Sequence, residues 1–598
     1  MTSRQAEPPI GDYGLIGDGR TAALCSSAGS IDWLCLPRFD SDPVFGCLIG
    51  GEAAGRFVVR VEGADLVRRR YRERSAVLET TWRTNGAEAT LTEGMVLRVA
   101  GRLLPQALVV RRLEARGGPV SAEVVFDPRD GLGARRLDPT RAGERLVFRR
   151  GAMAMSLQAA PAISIEPGPP VRITVEPDDP VTFAFGMTDR GPLVFVHPDR
   201  AFDLLEETDR WWRDWSSRID YDGPHADAVI RSLITLRLLT YTPSGAPVAA
   251  PTSSLPEEMG GTRNWDYRYA WPRDASIGIA GFLATGMKDE AHSFLHWLLV
   301  ASRLSRPRMK VLYSLDGKPD VAEREVPGVP GYRGSRPVRV GNAAARQHQL
   351  DVYGWVLDAA WAMVRSGQGI HRATWRAMAS FADFVAKRWR DEDAGIWEMR
   401  DRPAQYVHSK VMAWVVLDRA LRIATTLRTR RRRVDRWRRE RDALAAAIRE
   451  RGIDSRRGAY VRSFGGPELD AALLVLPTLD FDPPDADPVV RTVRAIRDEL
   501  SARGPLLYRY RPGTDGLPGR EAAFLPCSFW LVAALARTGA VDEAAKLFDQ
   551  LCARATDLGL YAEQMDPSTG EHLGNFPQAL THASLVQAAL ALREISGG

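Results

Sequence analysis

Two short loops each set a glutamate beside an aromatic ring: Gly395-Ile396-Trp397-Glu398-Met399 and Gly559-Leu560-Tyr561-Ala562-Glu563-Gln564. Two carboxyls can divide acid and base work. One protonates a leaving oxygen, and the other acts as a carboxylate on water or on the reacting carbon. An aromatic neighbour partly desolvates a carboxyl and raises its pKa, which favours an acid still protonated near neutral pH. Either glutamate alone reads as an exposed loop charge, so the pair needs support from a third stretch. Arg263–Ser276 supplies it: Arg-Asn-Trp-Asp-Tyr-Arg-Tyr-Ala-Trp-Pro-Arg-Asp-Ala-Ser holds four aromatics, three Arg and two Asp. A core strand would not carry so many charges, because an unpaired buried charge is costly. A flexible linker would not carry so many aromatics. Flat apolar faces interleaved with carboxylates and guanidinium forks suit a sugar, whose C–H faces stack on rings and whose hydroxyls take bidentate hydrogen bonds. A tightly paired Arg/Asp loop packed against a helix start is the plainer reading.

These loops need elements to hold them. From Gly11 to His197 the pattern is period two, with short strands over 56–61, 76–83, 87–98, 106–115, 120–127, 145–149, 154–159, 171–176 and 181–187 separated by Gly, Pro and Asp. That spacing predicts an antiparallel β-sandwich over residues 1–197. Its front edge, 10–45, reads as two capping hairpins, with a pocket-narrowing loop as the alternative. Residues 198–222 read as a linking helix, with Leu204, Leu205, Trp211, Trp212 and Trp215 near one stripe. From 223 to 598 helical periods dominate. Twelve segments are expected, starting near His225, Asp274, Asp289, Asn342, His371, His408, Arg430, Glu468, Val489, Glu521, Val541 and Pro577. Strongly apolar segments alternate with half-charged ones, a pattern that closes naturally into a barrel of helical hairpins with loops gathered at one end.

Composition excludes several classes. The 598 residues are 45% hydrophobic and 26% charged, which suits a multidomain globular chain. No apolar run approaches the roughly 20 residues that span a bilayer, and the polar start lacks the apolar segment of a secretory signal. Five cysteines without a Cys-x-x-Cys pair argue for reduced thiols, a cytoplasmic location and no zinc site. The net charge of +6 gathers in Arg428–Arg451. There it alternates with Val434, Trp437, Leu444 and Ile448 at helical spacing, so a solvated outer helix is expected rather than a nucleic-acid surface.

Taken together, the motifs resemble glycoside hydrolase family 15, the glucoamylase, glucodextranase and trehalase group, over nearly the whole chain. The front segment Gly29-Ser30-Ile31-Asp32-Trp33-Leu34-Cys35-Leu36-Pro37-Arg38-Phe39 is similar to the N-terminal β-domain of its bacterial trehalase-like members. Arg263–Ser276 resembles the Trp-x-Arg-Asp substrate loop, and 331–342 with Gln347 resembles the next one. Gly395–Glu398 resembles the general-acid segment, followed by His408-Ser409-Lys410. Ala562-Glu563-Gln564 resembles the general-base segment, and 574–578 closes the pattern. The resemblance implies an all-α (α/α)6 barrel after the sandwich and an inverting mechanism without metal or cofactor. Glu398 would be the acid and Glu563 the base. Tyr269, Trp271, Arg273, Asp274, Arg339, Asn342, Trp397 and Lys410 would contact substrate.

Two residues depart from the family pattern, Pro272 within the substrate loop and Met399 after the acid. The substrate implied is a small α-glucoside, trehalose first and malto- or isomalto-oligosaccharides second. A disaccharide phosphorylase or a non-catalytic sugar sensor is the more remote alternative. Neither nucleic acid nor membrane is an expected partner.

Overall fold

The computed structural model describes residues 7–596 except 85, 100, 101, 104, 105, 134, 320, 401, 402 and 428–430. All nine strand stretches expected between 56 and 187 form strands, from Phe57–Val61 to Val181–Thr188. They build a seven-stranded and an eight-stranded sheet. Pairing is antiparallel, as where Ala107–Arg116 lies between Val181–Thr188 and Ala87–Met95. Phenylalanines from the two sheets meet between them: Phe57 stands edge-on to Phe183 at 5.9 Å and Phe126 to Phe185 at 5.3 Å. Two strands of the larger sheet were not expected, Thr140–Ala142 at one edge and Asp65–Tyr71 at the other. A bulge between Leu66 and Arg68 breaks the alternation of Asp65–Tyr71, whose exposed Arg68 and Arg70 guard the open edge against pairing while Arg69 turns inward to the Cys25 carbonyl.

The front edge folds into Gly14–Gly17, Ala22–Cys25, Ser30–Cys35 and Pro43–Phe45, all joined to the smaller sheet. Helix α1 (Pro198–Ser217) then crosses to the second half. Leu204 and Leu205 pack on sheet residues Val77, Leu108 and Val110, while the Trp215 indole donates to Glu290 at 2.6 Å.

The second half holds the twelve helical segments expected, one of them 3-10. They are α2 (Ala226–Leu238), α3 (Pro272–Ala284), α4 (Lys288–Ala301), α5 (Asp351–Arg365), α6 (Arg372–Arg388), α7 (Val407–Thr426), α8 (Arg431–Arg451), the 3-10 segment Ala471–Thr478, α9 (Asp487–Leu500), α10 (Leu525–Arg537), α11 (Val541–Cys552) and α12 (Ala579–Ser596). Asn342 begins no long helix; it caps the short 3-10 turn Ala343–Arg346, and α5 starts at Asp351. Pro477 blocks i→i−4 bonding and keeps 471–478 in 3-10 form. Arg430 lies outside the described residues.

Contacts run α3 to α5, α5 to α7, α7 to 471–478, then α10, α12 and back to α3, so the inner elements close a ring. The remaining helices pack outside it. The basic α8 behaves as a solvated outer helix and buries only Trp437, Leu444, Ala445 and Ile448. Among the described residues no helix is long and apolar enough to cross a membrane.

Candidate active site

The six segments that lead into the N-termini of the inner elements lie at one end of the ring. Five of them carry the residues that line a single cavity, among them Glu257, Trp265, Tyr267, Asn342, Trp397, Glu398, Arg509 and Glu563. The two glutamates therefore face one space, although 165 positions separate them in sequence.

Glu398 sits in a left-handed backbone conformation, φ +59°. Only surrounding bonds hold a non-glycine residue there. The Glu398 N–H donates to Gly395 O at 3.2 Å, and the Gln347 amide donates to the Glu398 carbonyl at 3.0 Å. The Trp271 indole donates to Glu398 Oε1 at 2.8 Å, and Arg273 lies 3.8 Å from the same oxygen. Burial pushes the carboxyl's pKa up, while Arg273 and the Trp271 hydrogen bond pull it down, with a net rise. Arg273 is itself fixed by Asp274 Oδ1 at 2.8 Å and by Ile396 O at 2.8 Å. Pro272, the departure noted above, occupies the first turn of α3, where its missing N–H costs no helical bond.

Glu563 is 2% exposed. Its Oε1 accepts from the Tyr267 hydroxyl at 2.7 Å. Gly574 closes over it: a Cβ there would stand 2.7 Å from Glu563 Oε2. Burial raises this carboxyl's pKa and Glu257 raises it further, against the lowering pull of Arg509 and Tyr267. The Tyr267 and Trp271 rings meet edge-on at 5.5 Å. The five residues Tyr267–Trp271, which follow the short strand Asn264–Asp266, thus reach both carboxyls, Tyr267 touching Glu563 and Trp271 touching Glu398.

Trp271, Arg273, Asp274, Asn342 and Trp397 line the cavity as expected; the Trp397 indole is steadied by Asp470 at 2.8 Å. Three expected contacts do not line it. Tyr269 turns into an apolar cluster with Val311, Leu312 and Val321. Lys410 is fully buried and donates to the Trp389 carbonyl at 2.7 Å, bracing the loop that carries Glu398. Arg339 stacks on Trp265 at 4.7 Å and donates to the Thr262 carbonyl at 2.8 Å, bracing the substrate stretch from outside. Met399 also turns away, toward Arg462 at 3.3 Å.

Tyr267, Glu257, Trp265, Arg400 and Arg509 were not singled out from sequence. The first and third lie inside the aromatic stretch and could have been. Glu257 accepts from the Trp265 indole at 2.9 Å and from Arg509 at 3.2 Å. Arg509 and Arg263 share Glu521 at 2.6 Å each, and Arg263 also binds Asp515 at 2.7 Å. This alternating buried network ties the aromatic stretch to the 509–521 loop. Among the described residues no cluster of His, Cys, Asp and Glu has metal-site geometry.

The like charge of Glu257 raises the proton affinity of Glu563, so removing it lowers that affinity. Glu257→Gln is expected to move the acid limb of the kcat/KM–pH profile to lower pH. An unmoved limb would show that Glu257 has no electrostatic hold on Glu563.

Comparison with known proteins gives the chain's family. The family model described as glycosyl hydrolases family 15 matches residues 223–590, and the model described as trehalase-like, N-terminal, matches residues 2–169. The chain is 35% identical to the trehalase of Mycolicibacterium smegmatis over 98% of this chain and 92% of that one. It is 33% identical to the trehalase of Thermoplasma volcanium over 98% and 94%. Among solved structures, a bacterial glucoamylase complexed with acarbose superposes with a TM-score of 0.69 at 13% identity, covering 99% of this chain and 96% of that one. That last likeness speaks for the fold.

Proposed function

The chain belongs to glycosyl hydrolase family 15, and from that premise we propose that it is an inverting glycoside hydrolase that cleaves trehalose. The observation that carries this reading is the pair Glu398 and Glu563, facing one cavity and joined through the Trp271–Tyr267 contact. The substrate is read from the trehalases that match it along nearly its whole length. The ring of inner helices with its outer partners is read as an (α/α)6 barrel over 223–598, after a β-sandwich over 1–197 and a linker over 198–222. Five free cysteines support a reducing, cytoplasmic setting.

In this mechanism Glu398 gives its proton to the glycosidic oxygen as the bond from that oxygen to the anomeric carbon breaks. Glu563 takes a proton from a water that attacks the same carbon from the opposite face. The Tyr267 hydroxyl orients Glu563 and leaves its second oxygen for the water. Arg273 and Asp274 hold hydroxyls of the non-reducing glucose between the Trp271 and Trp397 rings. The free space between these groups is about 70 Å³, below the roughly 300–1,000 Å³ of small-ligand pockets. Arg400, stacked on Trp265 at 4.1 Å and one-third exposed, borders this space.

The test is a panel of trehalose, maltose, isomaltose and soluble starch, with released anomers followed by NMR. Trehalose is expected to react fastest and to give one α- and one β-glucose. Activity on maltose or isomaltose without trehalose cleavage would replace the substrate and keep the family mechanism. Phosphate-dependent release of a sugar phosphate would replace hydrolysis.

A further inference from the structure

A second cavity, of about 590 Å³, lies between α1 and the helical ring. It shares Asp274 and Ala249 with the active cavity, so those residues form the partition between the two spaces. Its floor is apolar, with Trp215, Ile279 and Phe282 buried there. Its mouth is polar and carries both signs, with Arg98, Arg218, Asp214 and Asp289 forming no ion pair among the described residues.

Gly278 keeps this space open. It lies in the middle of α3, where a glycine weakens the helix relative to any ordinary side chain. The usual reason for such a glycine is close packing, and Gly281 in the same helix has it: a Cβ there would touch Val586 at 3.0 Å. A Cβ at Gly278 would meet nothing within 4 Å. No neighbour requires the glycine, and what its bareness provides is volume.

The lining chooses among ligand chemistries. The lining mixes both signs, with Arg237, Glu290 and Asp274 beside the four residues of the mouth and Arg237 4.0 Å from Glu290, so an anion would meet Asp214 and Asp289 and a cation would meet Arg98 and Arg218. A neutral ring with many hydroxyls can use both sets while its C–H face rests on the apolar floor. The volume is that of an ordinary small-molecule pocket, roughly 300–1,000 Å³.

We propose that this cavity is a second pyranose-binding site, coupled to the active cavity through Asp274 at the start of α3. The same helix that presents Arg273 and Asp274 to the first cavity presents Ala275 and Gly278 to the second. A sugar seated there bears on the partition from behind, and the coupling acts equally in both directions. The proposal depends on the reading of the first cavity only for the choice of an inert background.

The experiment is equilibrium dialysis of full-length Glu398→Gln protein with labelled glucose and, separately, labelled trehalose. Two sites per chain are expected for at least one of the sugars, and the sugar that shows two names the source of the pyranose. Adding Gly278→Leu, which projects a branched side chain into the cavity beside Ala275 and improves helix propensity, is expected to leave one; thermal unfolding checks the fold. Arg218→Ala, outside the helix, is expected to weaken the second site about tenfold. One site in every protein, or two that survive Gly278→Leu and Arg218→Ala unchanged, would overturn the second site. No site for either sugar would overturn the sugar reading of both cavities.

Discussion

Glu398→Gln is expected to lower kcat on trehalose by about 10²–10⁴-fold and to leave the sugar's Kd within a few fold. Glutamine keeps the size of the side chain, and its carbonyl oxygen can still accept from the Trp271 indole that holds Glu398 Oε1 at 2.8 Å. Only the transferable proton is lost. The net upward shift of the Glu398 pKa, caused first by burial and opposed by Arg273 and Trp271, keeps that proton in place further into the neutral range. The wild-type basic limb should accordingly lie above the ordinary glutamate range. Steady-state kinetics beside binding measured by calorimetry separate the two effects, and wild-type turnover by the variant would remove Glu398 from the chemistry.

Glu563→Ala is expected to cost a comparable factor, about 10²–10⁴ in kcat, with a different chemical signature. Glu563 works by accepting a proton from water, so a nucleophile that carries no such proton bypasses it. Added azide should restore turnover to Glu563→Ala and yield β-glucosyl azide, the product of attack opposite the leaving group. A cleaved glucoside whose leaving oxygen needs no protonation would be the matching bypass for Glu398→Gln. Azide without effect on Glu563→Ala, or an α-configured product, would sink the assignment of Glu563 as the base of an inverting site.

Much of this site was legible because its residues gather in dense local stretches. Trp271, Arg273 and Asp274 read as a unit, and Gly-flanked Glu398 and Glu563 stood out beside their aromatics. Helix starts were legible where Pro or Asp marks them, and Pro272 opens α3 within two residues of its expected start. The errors have physical causes. Tyr267, Tyr269 and Trp271 share one spacing, yet the chain from Arg268 on turns Tyr269 toward Val311 and Leu312, and tertiary contact alone decided which tyrosine meets Glu563. Glu257 and Arg509 stand 252 positions apart, and each looks like a solvated charge until the fold brings them to 3.2 Å. Lys410 follows polar neighbours, but its ammonium is spent on backbone carbonyls inside the wall.

Arg268, in the middle of the substrate stretch, donates to the Ser41 carbonyl at 2.7 Å and pairs with Asp266 at 2.8 Å. The Trp33 indole donates to Pro251 O at 2.8 Å, just ahead of the same stretch. Among the described residues none before 249 lines the cavity, so the first half of the chain bears on it through the loop it braces. Replacing the sheets would remove both of these anchors from the substrate stretch. The trehalases that share 33–35% of the chain's residues do so along 98% of its length, across sheets and helices alike.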